Sequence, residues 1–171
     1  MKTTENISVR KVWEILEGVC DPEVPVLTVI DLGIVRDVKI AKANEEEKIE
    51  VVITPTYSGC PAMDVIRMNI RMVLMQHGYN NVQITTILSP AWTTDWMTEA
   101  GKQKLKAYGI APPNPKQQVC HTELFAEDEA VQCPHCNSYN TRRISEFGST
   151  ACKALFQCND CQEPFDYFKC Y

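Results

Sequence analysis

The sequence predicts a mixed α/β domain with a three-stranded sheet, followed by a small module built from β-strands. Apolar residues recur at helical and then at strand spacing through residues 8–113, as is typical of α+β domains. Two Cys-x-x-Cys pairs lie beyond residue 130, after a stretch that opens with prolines and is rich in acidic residues. We therefore assign residues 1–113 to a first domain, 114–130 to a linker and 131–171 to a second domain.

Three helices are expected in the first domain. Ser8 can cap a first helix, whose apolar periodicity stops at Gly18. Pro61 suits the first position of a long second helix, which ends near His77 and is capped by Gly78. A last helix is predicted from residue 94 to residue 108.

Strands are predicted at residues 34–41, 48–54 and 83–88. The first two form a hairpin, and the long helix joins the second to the third. Such a connection predicts that the second and third strands are parallel, with a right-handed crossover.

The long helix carries two apolar stripes, and one of them must face the sheet. The second stripe either packs on another helix of the domain or forms an adaptable surface for a partner, as methionine-rich surfaces do. The stripes are Ile66, Ile70, Val73 and Leu74, and Val65, Met68, Met72 and Met75.

The strongest chemical signal is the pair of Cys-x-x-Cys turns, Cys133/Cys136 and Cys158/Cys161. Each turn can direct two thiolates at one ion, and two turns complete a closed tetrahedron that is typical of structural zinc. A mononuclear iron would fit the same four ligands. Strands at 140–147 and 153–157, with a closing strand around residues 165–168, complete a zinc ribbon. We do not count His135 as a ligand.

The chain has nine cysteines, so they cannot all form internal disulfides, and seven of them follow residue 119. We expect reduced thiols and metal chemistry rather than a disulfide framework. Cys152 and Cys170 are either ordinary thiols or, together with Cys120 and His121, ligands of a second metal or cluster site.

Cys60 lies just before the long helix, where free N–H groups and the helix dipole favour a thiolate, so its pKa is expected to fall. Three roles remain open for it: a transient metal or redox thiol, a buried structural cysteine, or a catalytic nucleophile. The nucleophile lacks an evident base, because His77 lies at the far end of the helix. Asp21 and Glu23, in a Pro-containing loop, are either turn residues or contacts to the Cys60 loop or to a partner.

Charge and composition exclude several classes of protein. The net charge is −5, and residues 133–171 carry four basic and four acidic side chains, so the basic face of a nucleic-acid binder is missing. No apolar run is long enough to span a membrane, and no signal-peptide core is present, so we expect a cytosolic protein. The chain also lacks a dinucleotide-binding loop, a Glu-x-x-His pair and plant-type ferredoxin spacing, which argues against an oxygenase or reductase.

The first domain resembles the iron–sulfur assembly domain of SufT-type proteins and of the eukaryotic cytosolic iron–sulfur targeting factor. The similarity covers residues 8–113, and the motifs are Asp21-Pro22-Glu23, Ile30-Asp31-Leu32-Gly33-Ile34-Val35, Thr54-Pro55-Thr56-Tyr57-Ser58-Gly59-Cys60-Pro61 and the 92–95 stretch. The resemblance implies that the Asp-Pro-Glu and Gly-Cys-Pro loops form one functional surface. Cys60, Asp21, Glu23 and Thr54 are then the candidates for cluster handling or thiol chemistry.

The whole chain, with Phe147-Gly148-Ser149-Thr150-Ala151-Cys152-Lys153 and Glu163-Pro164-Phe165 in the ribbon, is similar to the D-protein family of bacterial phenylacetate degradation. This resemblance implies a non-catalytic accessory of phenylacetyl-CoA epoxidase that helps to mature a metal centre, for which a transient iron–sulfur cluster is a candidate cofactor beside structural zinc. The implied partners are the epoxidase and reductase components and iron–sulfur assembly factors, while a homodimer stays open. A structural adaptor that docks partners through its ribbon is the alternative.

Overall fold

A computed structural model describes residues 8–43, 46–113 and 131–169 of the chain. The chain divides into two compact units, residues 1–92 and 93–171. Within the described ranges, no helix combines the length and the apolar character needed to cross a lipid bilayer. Cys120, His121 and Cys170, the candidates for a second metal site, lie outside the described residues.

The first unit contains two helices and the three-stranded sheet that the sequence predicts. Its elements are α1 (Val9–Leu16), β1 (Val35–Ala43), β2 (Glu46–Ile53), α2 (Ala62–Gln76) and β3 (Val82–Thr86). The strand order is β1-β2-β3, with β1 antiparallel and β3 parallel to β2. The predicted mixed sheet is therefore confirmed, and β2 lies at its centre.

The core of this unit lies between one face of the sheet and the helices. Ser8 caps α1 by accepting a hydrogen bond from the backbone N–H of Lys11 at 3.2 Å. Alternate residues of β2 point inward, and five residues of α2 complete the core. These are Ile49, Val51 and Ile53 on β2, and Ala62, Met63, Ile66, Ile70 and Leu74 on α2.

The second apolar stripe of α2 is exposed. The exposed fractions are 39% for Val65, 55% for Met68, 50% for Met72 and 48% for Met75. Of the two alternatives for this stripe, packing on another helix of the same domain is therefore wrong. Successive residues of an α-helix are about 100° apart, so these side chains point away from Ile66 and Ile70 on the core face.

The second unit is a four-stranded sheet preceded by short helices. Its elements are a 3₁₀ turn (Thr94–Trp96), α3 (Glu99–Ala107), β4 (Ile110–Ala111), β5 (Thr141–Ser145), β6 (Lys153–Cys158) and β7 (Pro164–Phe168). The continuous helix predicted from residue 94 is wrong. Met97 is buried in an extended conformation, and Thr98 starts a new helix by accepting a hydrogen bond from the N–H of Gly101 at 2.9 Å.

Strand β4 was not predicted by the sequence. It pairs in parallel with β7, so the sheet order is β4-β7-β6-β5, and Ala111 joins the buried ribbon core. Residues 93–111 therefore group with the ribbon in the structure. The assignment of residues 1–113, 114–130 and 131–171 to two domains and a linker stays a prediction.

Candidate metal centre and thiol site

The two Cys-x-x-Cys turns have the same backbone design. The residue after each second cysteine adopts a left-handed conformation, with φ of 64° at Asn137 and 66° at Gln162. The residue before each first cysteine is a glutamine whose side-chain amide donates to the carbonyl of that left-handed residue. Gln132 donates to Asn137 at 3.1 Å, and Gln157 donates to Gln162 at 3.2 Å. The sequence shows the same Gln-Cys-x-x-Cys pattern at both turns, so the role of the glutamine could have been predicted from that repeat.

This geometry brings four sulfur atoms together. The Sγ atoms of Cys133, Cys136, Cys158 and Cys161 all lie within 4.8 Å of one another. Cys133 and Cys161 are 3.8 Å apart, and Cys136 and Cys158 are 3.5 Å apart. Four thiolates at ~2.3 Å from a tetrahedral ion would be about 3.8 Å apart, so the observed spacing fits zinc.

Contacts outside the sulfur cluster tie the two turns together. Asp160, in the second turn, accepts hydrogen bonds from the hydroxyl of Ser138 and from the side-chain amide of Asn140, the latter at 2.7 Å. Both hydrogen bonds lower the pKa of the Asp160 carboxyl, and the one from Ser138 has the larger effect. The backbone N–H of Asn159 also donates to the carbonyl of Asn140 at 2.8 Å. The turns are therefore aligned by polar contacts as well as by their shared ligands.

The electrostatics of the cluster favour a thiolate at one position. The backbone N–H of Cys161 is the main cause that lowers the pKa of the Cys158 thiol to about 7. Metal binding needs deprotonated sulfur, so the Cys158 thiol loses its proton at a lower cost than Cys136 or Cys161 when a cation binds. His135 lies outside the sulfur group, as expected from its place inside the first turn.

Cys152 lies in the ribbon but not in the sulfur cluster. It is buried, and its Sγ lies 3.0 Å from the hydroxyl of Thr150. The next residue, Lys153, is only 4% exposed and forms an ion pair with Asp166 at 3.5 Å. Asp166 also accepts a hydrogen bond from the hydroxyl of Ser149 at 2.7 Å. These contacts hold the 147–152 loop against β7.

Cys60 lies at the N-terminal end of α2 and is about half buried. Its carbonyl accepts a hydrogen bond from the N–H of Met63 at 3.3 Å, while its own N–H donates to Tyr57 at 3.2 Å. The thiol interacts with the backbone at Ala62 and with the side chain of Thr56. The loop that leaves β2 thus turns tightly and presents the sulfur at the start of the helix.

Asp21 and Glu23 approach this thiol from another loop. The Asp21 carboxylate accepts hydrogen bonds from the N–H groups of Glu23 at 2.7 Å and Val24 at 2.8 Å, so it is a turn residue. Both carboxylates also act on the Cys60 thiol through their negative charge. The structure therefore places Asp21 and Glu23 close enough to Cys60 for their charges to affect its thiol.

The pKa of Cys60 is raised, not lowered, and the sequence expectation is wrong here. Burial is the largest cause, and the charges of Glu23 and Asp21 raise the pKa further. The contacts with Ala62 and Thr56 lower it, but they do not compensate. A helix N-terminus favours a thiolate only when desolvation and nearby anions do not outweigh it.

Thr54, the fourth candidate at this site, ends the strand region before the loop. It is 1% exposed, and its hydroxyl oxygen has no hydrogen-bond partner within the described ranges. Its backbone N–H donates to Ile34 at 2.9 Å, next to Gly33, whose φ of 66° suits a residue without a side chain. Sequence reasoning did not single out Thr56, which follows Thr54 by two residues and lies beside Cys60.

Two family models match the chain, one on each region. The model described as "Iron-sulfur cluster assembly protein" matches residues 10–85, and the "PaaD zinc beta ribbon domain" matches residues 117–169. The D component of the "Putative 1,2-phenylacetyl-CoA epoxidase" of Escherichia coli K12 is 49% identical over 95% of this chain and 93% of its own length. A Porphyromonas gingivalis "Fe-S protein maturation auxiliary factor" is 35% identical over 53% of this chain and 83% of its own length.

The first unit is also similar to solved structures. A domain of unknown function, DUF59, from Bacillus anthracis has a TM-score of 0.52 and 27% identity, covering 57% of this chain and 90% of that one. Fold and site thus define an iron–sulfur-assembly-type domain joined to a four-cysteine zinc ribbon. Within that class, the chain belongs to the family of the D component of 1,2-phenylacetyl-CoA epoxidase.

Proposed function

We propose that this protein is a non-catalytic accessory factor of a phenylacetyl-CoA epoxidase, and that it assists assembly of an iron–sulfur or other metal centre in another component. The observation that carries the proposal is the half-buried Cys60 thiol beside the Asp21 and Glu23 carboxylates. The names of the relatives, an epoxidase component and an iron–sulfur maturation factor, support the same assignment.

The raised pKa of Cys60 suits a thiol that binds iron transiently. A thiol that stays protonated at neutral pH is a poor nucleophile and resists oxidation. An iron ion or cluster that binds the sulfur must displace the proton, which can pass to a neighbouring carboxylate or to water. The cost of that deprotonation weakens binding, so the cargo can be passed on to a client protein.

The ribbon has a different part in this proposal. Four thiolates from Cys133, Cys136, Cys158 and Cys161 would hold a zinc ion without leaving an open coordination position, as in structural zinc sites. The ribbon would then hold a folded surface for docking to epoxidase components or to iron–sulfur assembly factors. The thiol of Cys60 and the zinc cluster therefore have separate tasks.

Replacing Cys60 tests the proposal directly. The iron–sulfur component of the epoxidase is co-produced in cells with the wild-type chain, the Cys60→Ser variant or the Cys20→Ser variant. Cys20 is an exposed thiol of the same unit and serves as the matched control. We expect Cys60→Ser to lower the iron and acid-labile sulfide of the purified client several-fold, and Cys20→Ser to leave them unchanged.

Full iron and sulfide with the Cys60→Ser variant would rule out the cluster-handling role. If the client nevertheless loses iron when the whole protein is omitted, the structural adaptor is the correct function. Zinc content of one ion per chain in both variants verifies that the ribbon is intact.

A further inference from the structure

The outward face of α2 has the pattern of a helix-pairing seam. We call Val65, Met68, Met72 and Met75 the methionine face. Their spacing of three, four and three residues corresponds to positions a, d, a and d of two successive heptads. All four side chains are between 39% and 55% exposed.

A solvated helix normally carries polar residues on the side opposite its core face. Here that side is apolar along nearly the whole of α2, while Ile66, Ile70 and Leu74 already supply the core contact. The helix is therefore apolar on two opposite sides. Methionine is flexible and polarizable, which suits a surface that must accept another helix.

The charges beside the methionine face indicate what kind of helix it accepts. Asp64 and Arg71 occupy the flanking positions on one side. The charge of Asp64 is offset by Arg67, whose guanidinium lies 2.7 Å from its carboxylate. Arg71 is exposed and forms no ion pair or hydrogen bond with any residue in the described ranges. The flank therefore carries one uncompensated positive charge.

A second copy of this chain is a poor occupant. Antiparallel pairing through the methionine face would place Val65 opposite Met75 and Met68 opposite Met72. The same symmetry would bring Arg71 close to its own equivalent, where like charges repel. Parallel pairing would set Arg71 against the uncharged Gln76. Neither arrangement gives the cation a partner.

We propose that the methionine face binds an amphipathic helix of another protein, one with an apolar a/d seam and a glutamate or aspartate that faces Arg71. Two heptads bury less than the ~800 Å² per partner of a standard stable interface. We therefore expect weak binding to the helix alone, with a Kd between about 10 µM and 1 mM. The inference does not depend on the chemistry of Cys60.

The test uses designed peptides of three heptads, with leucine at a and d and either glutamate or lysine at e and g. Like charges at e and g keep each peptide from pairing with itself. Binding is followed through the methionine methyl signals of the full chain in ¹³C NMR. Met63, buried on the core face of the same helix, is an internal control. We expect the glutamate peptide to shift the signals of Met68, Met72 and Met75 at saturating concentration, and the lysine peptide to bind at least tenfold more weakly.

Variants separate this proposal from its competitors. Met72→Gln should weaken binding of the glutamate peptide at least tenfold, whereas Leu88→Gln, at another exposed apolar residue of the same unit, should not. Arg71→Glu should reverse the preference between the two peptides. The proposal is overturned if neither peptide shifts the signals at a peptide concentration of about 2 mM, which is twice the upper limit of the expected Kd. It is also overturned if the peptides bind equally, or if sedimentation shows a dimer that Met72→Gln dissociates.

Discussion

The ion pair between Lys153 and Asp166 gives the sharpest stability prediction. The side chain of Lys153 is 5% exposed and that of Asp166 is 20% exposed, with 3.5 Å between the charged atoms. Asp166→Asn keeps the shape and the contact with Ser149 but leaves a buried ammonium without a counter-charge. Breaking a buried pair in this way costs ~3–5 kcal/mol, and the partial exposure of Asp166 places the expected value at about 3 kcal/mol.

Replacing the other partner of the pair, Lys153, should lower the free energy of unfolding much less. Lys153→Met removes the buried charge, and Asp166 can still be solvated and bonded by Ser149, so we expect a loss of about 1 kcal/mol. The double variant should resemble Lys153→Met, which gives a coupling of about −3 kcal/mol in the cycle. Urea unfolding of the zinc-loaded protein is monitored through the release of zinc to a metallochromic indicator. This readout measures the stability of the ribbon specifically. Additive effects, or equal effects of the two single changes, would refute the reasoning.

Three further predictions concern the thiol, the α2 faces and the metal. Because burial raises the pKa of Cys60, its alkylation by iodoacetamide should be slow at pH 7 and should rise about tenfold per pH unit as long as the pH stays below that pKa, as mass spectrometry can follow. Fast labelling at pH 7 would contradict it. Leu74→Ala should destabilise the first unit by ~2–5 kcal/mol in urea unfolding, whereas Met72→Ala should stay within about 0.5 kcal/mol. A chelator that removes zinc should abolish the dispersed NMR signals of residues 131–169, because structural zinc sites supply ~10 kcal/mol or more of folding free energy. Retained signal dispersion would show that the ribbon folds without metal.

The features that the sequence predicted correctly depend on local spacing. The parallel pairing of the second and third strands followed from the helix between them, because that connection leaves few alternatives. The four-cysteine set followed from two Cys-x-x-Cys turns, and the structure places all four sulfur atoms together. Both conclusions need only residues that are close in sequence or joined by one rigid element.

The features that the sequence did not predict depend on tertiary contacts. The pKa of Cys60 is raised because the fold buries it and brings Glu23 and Asp21 near, which no local pattern reveals. The break before α3 depends on the burial of Met97. Two-residue β4 is too short to show alternation, so only its pairing with β7 defines it.

Strand β4 has a practical consequence for the ribbon. Its two residues, Ile110 and Ala111, cover one edge of β7, and the parallel pairing satisfies backbone groups there. A fragment beginning at residue 117, where the ribbon family model starts, would leave that edge open to pairing with another chain. It would also uncover the buried cluster to which Ala111 contributes. The folding module that remains monomeric in isolation should therefore start near residue 93, well upstream of the first zinc ligand.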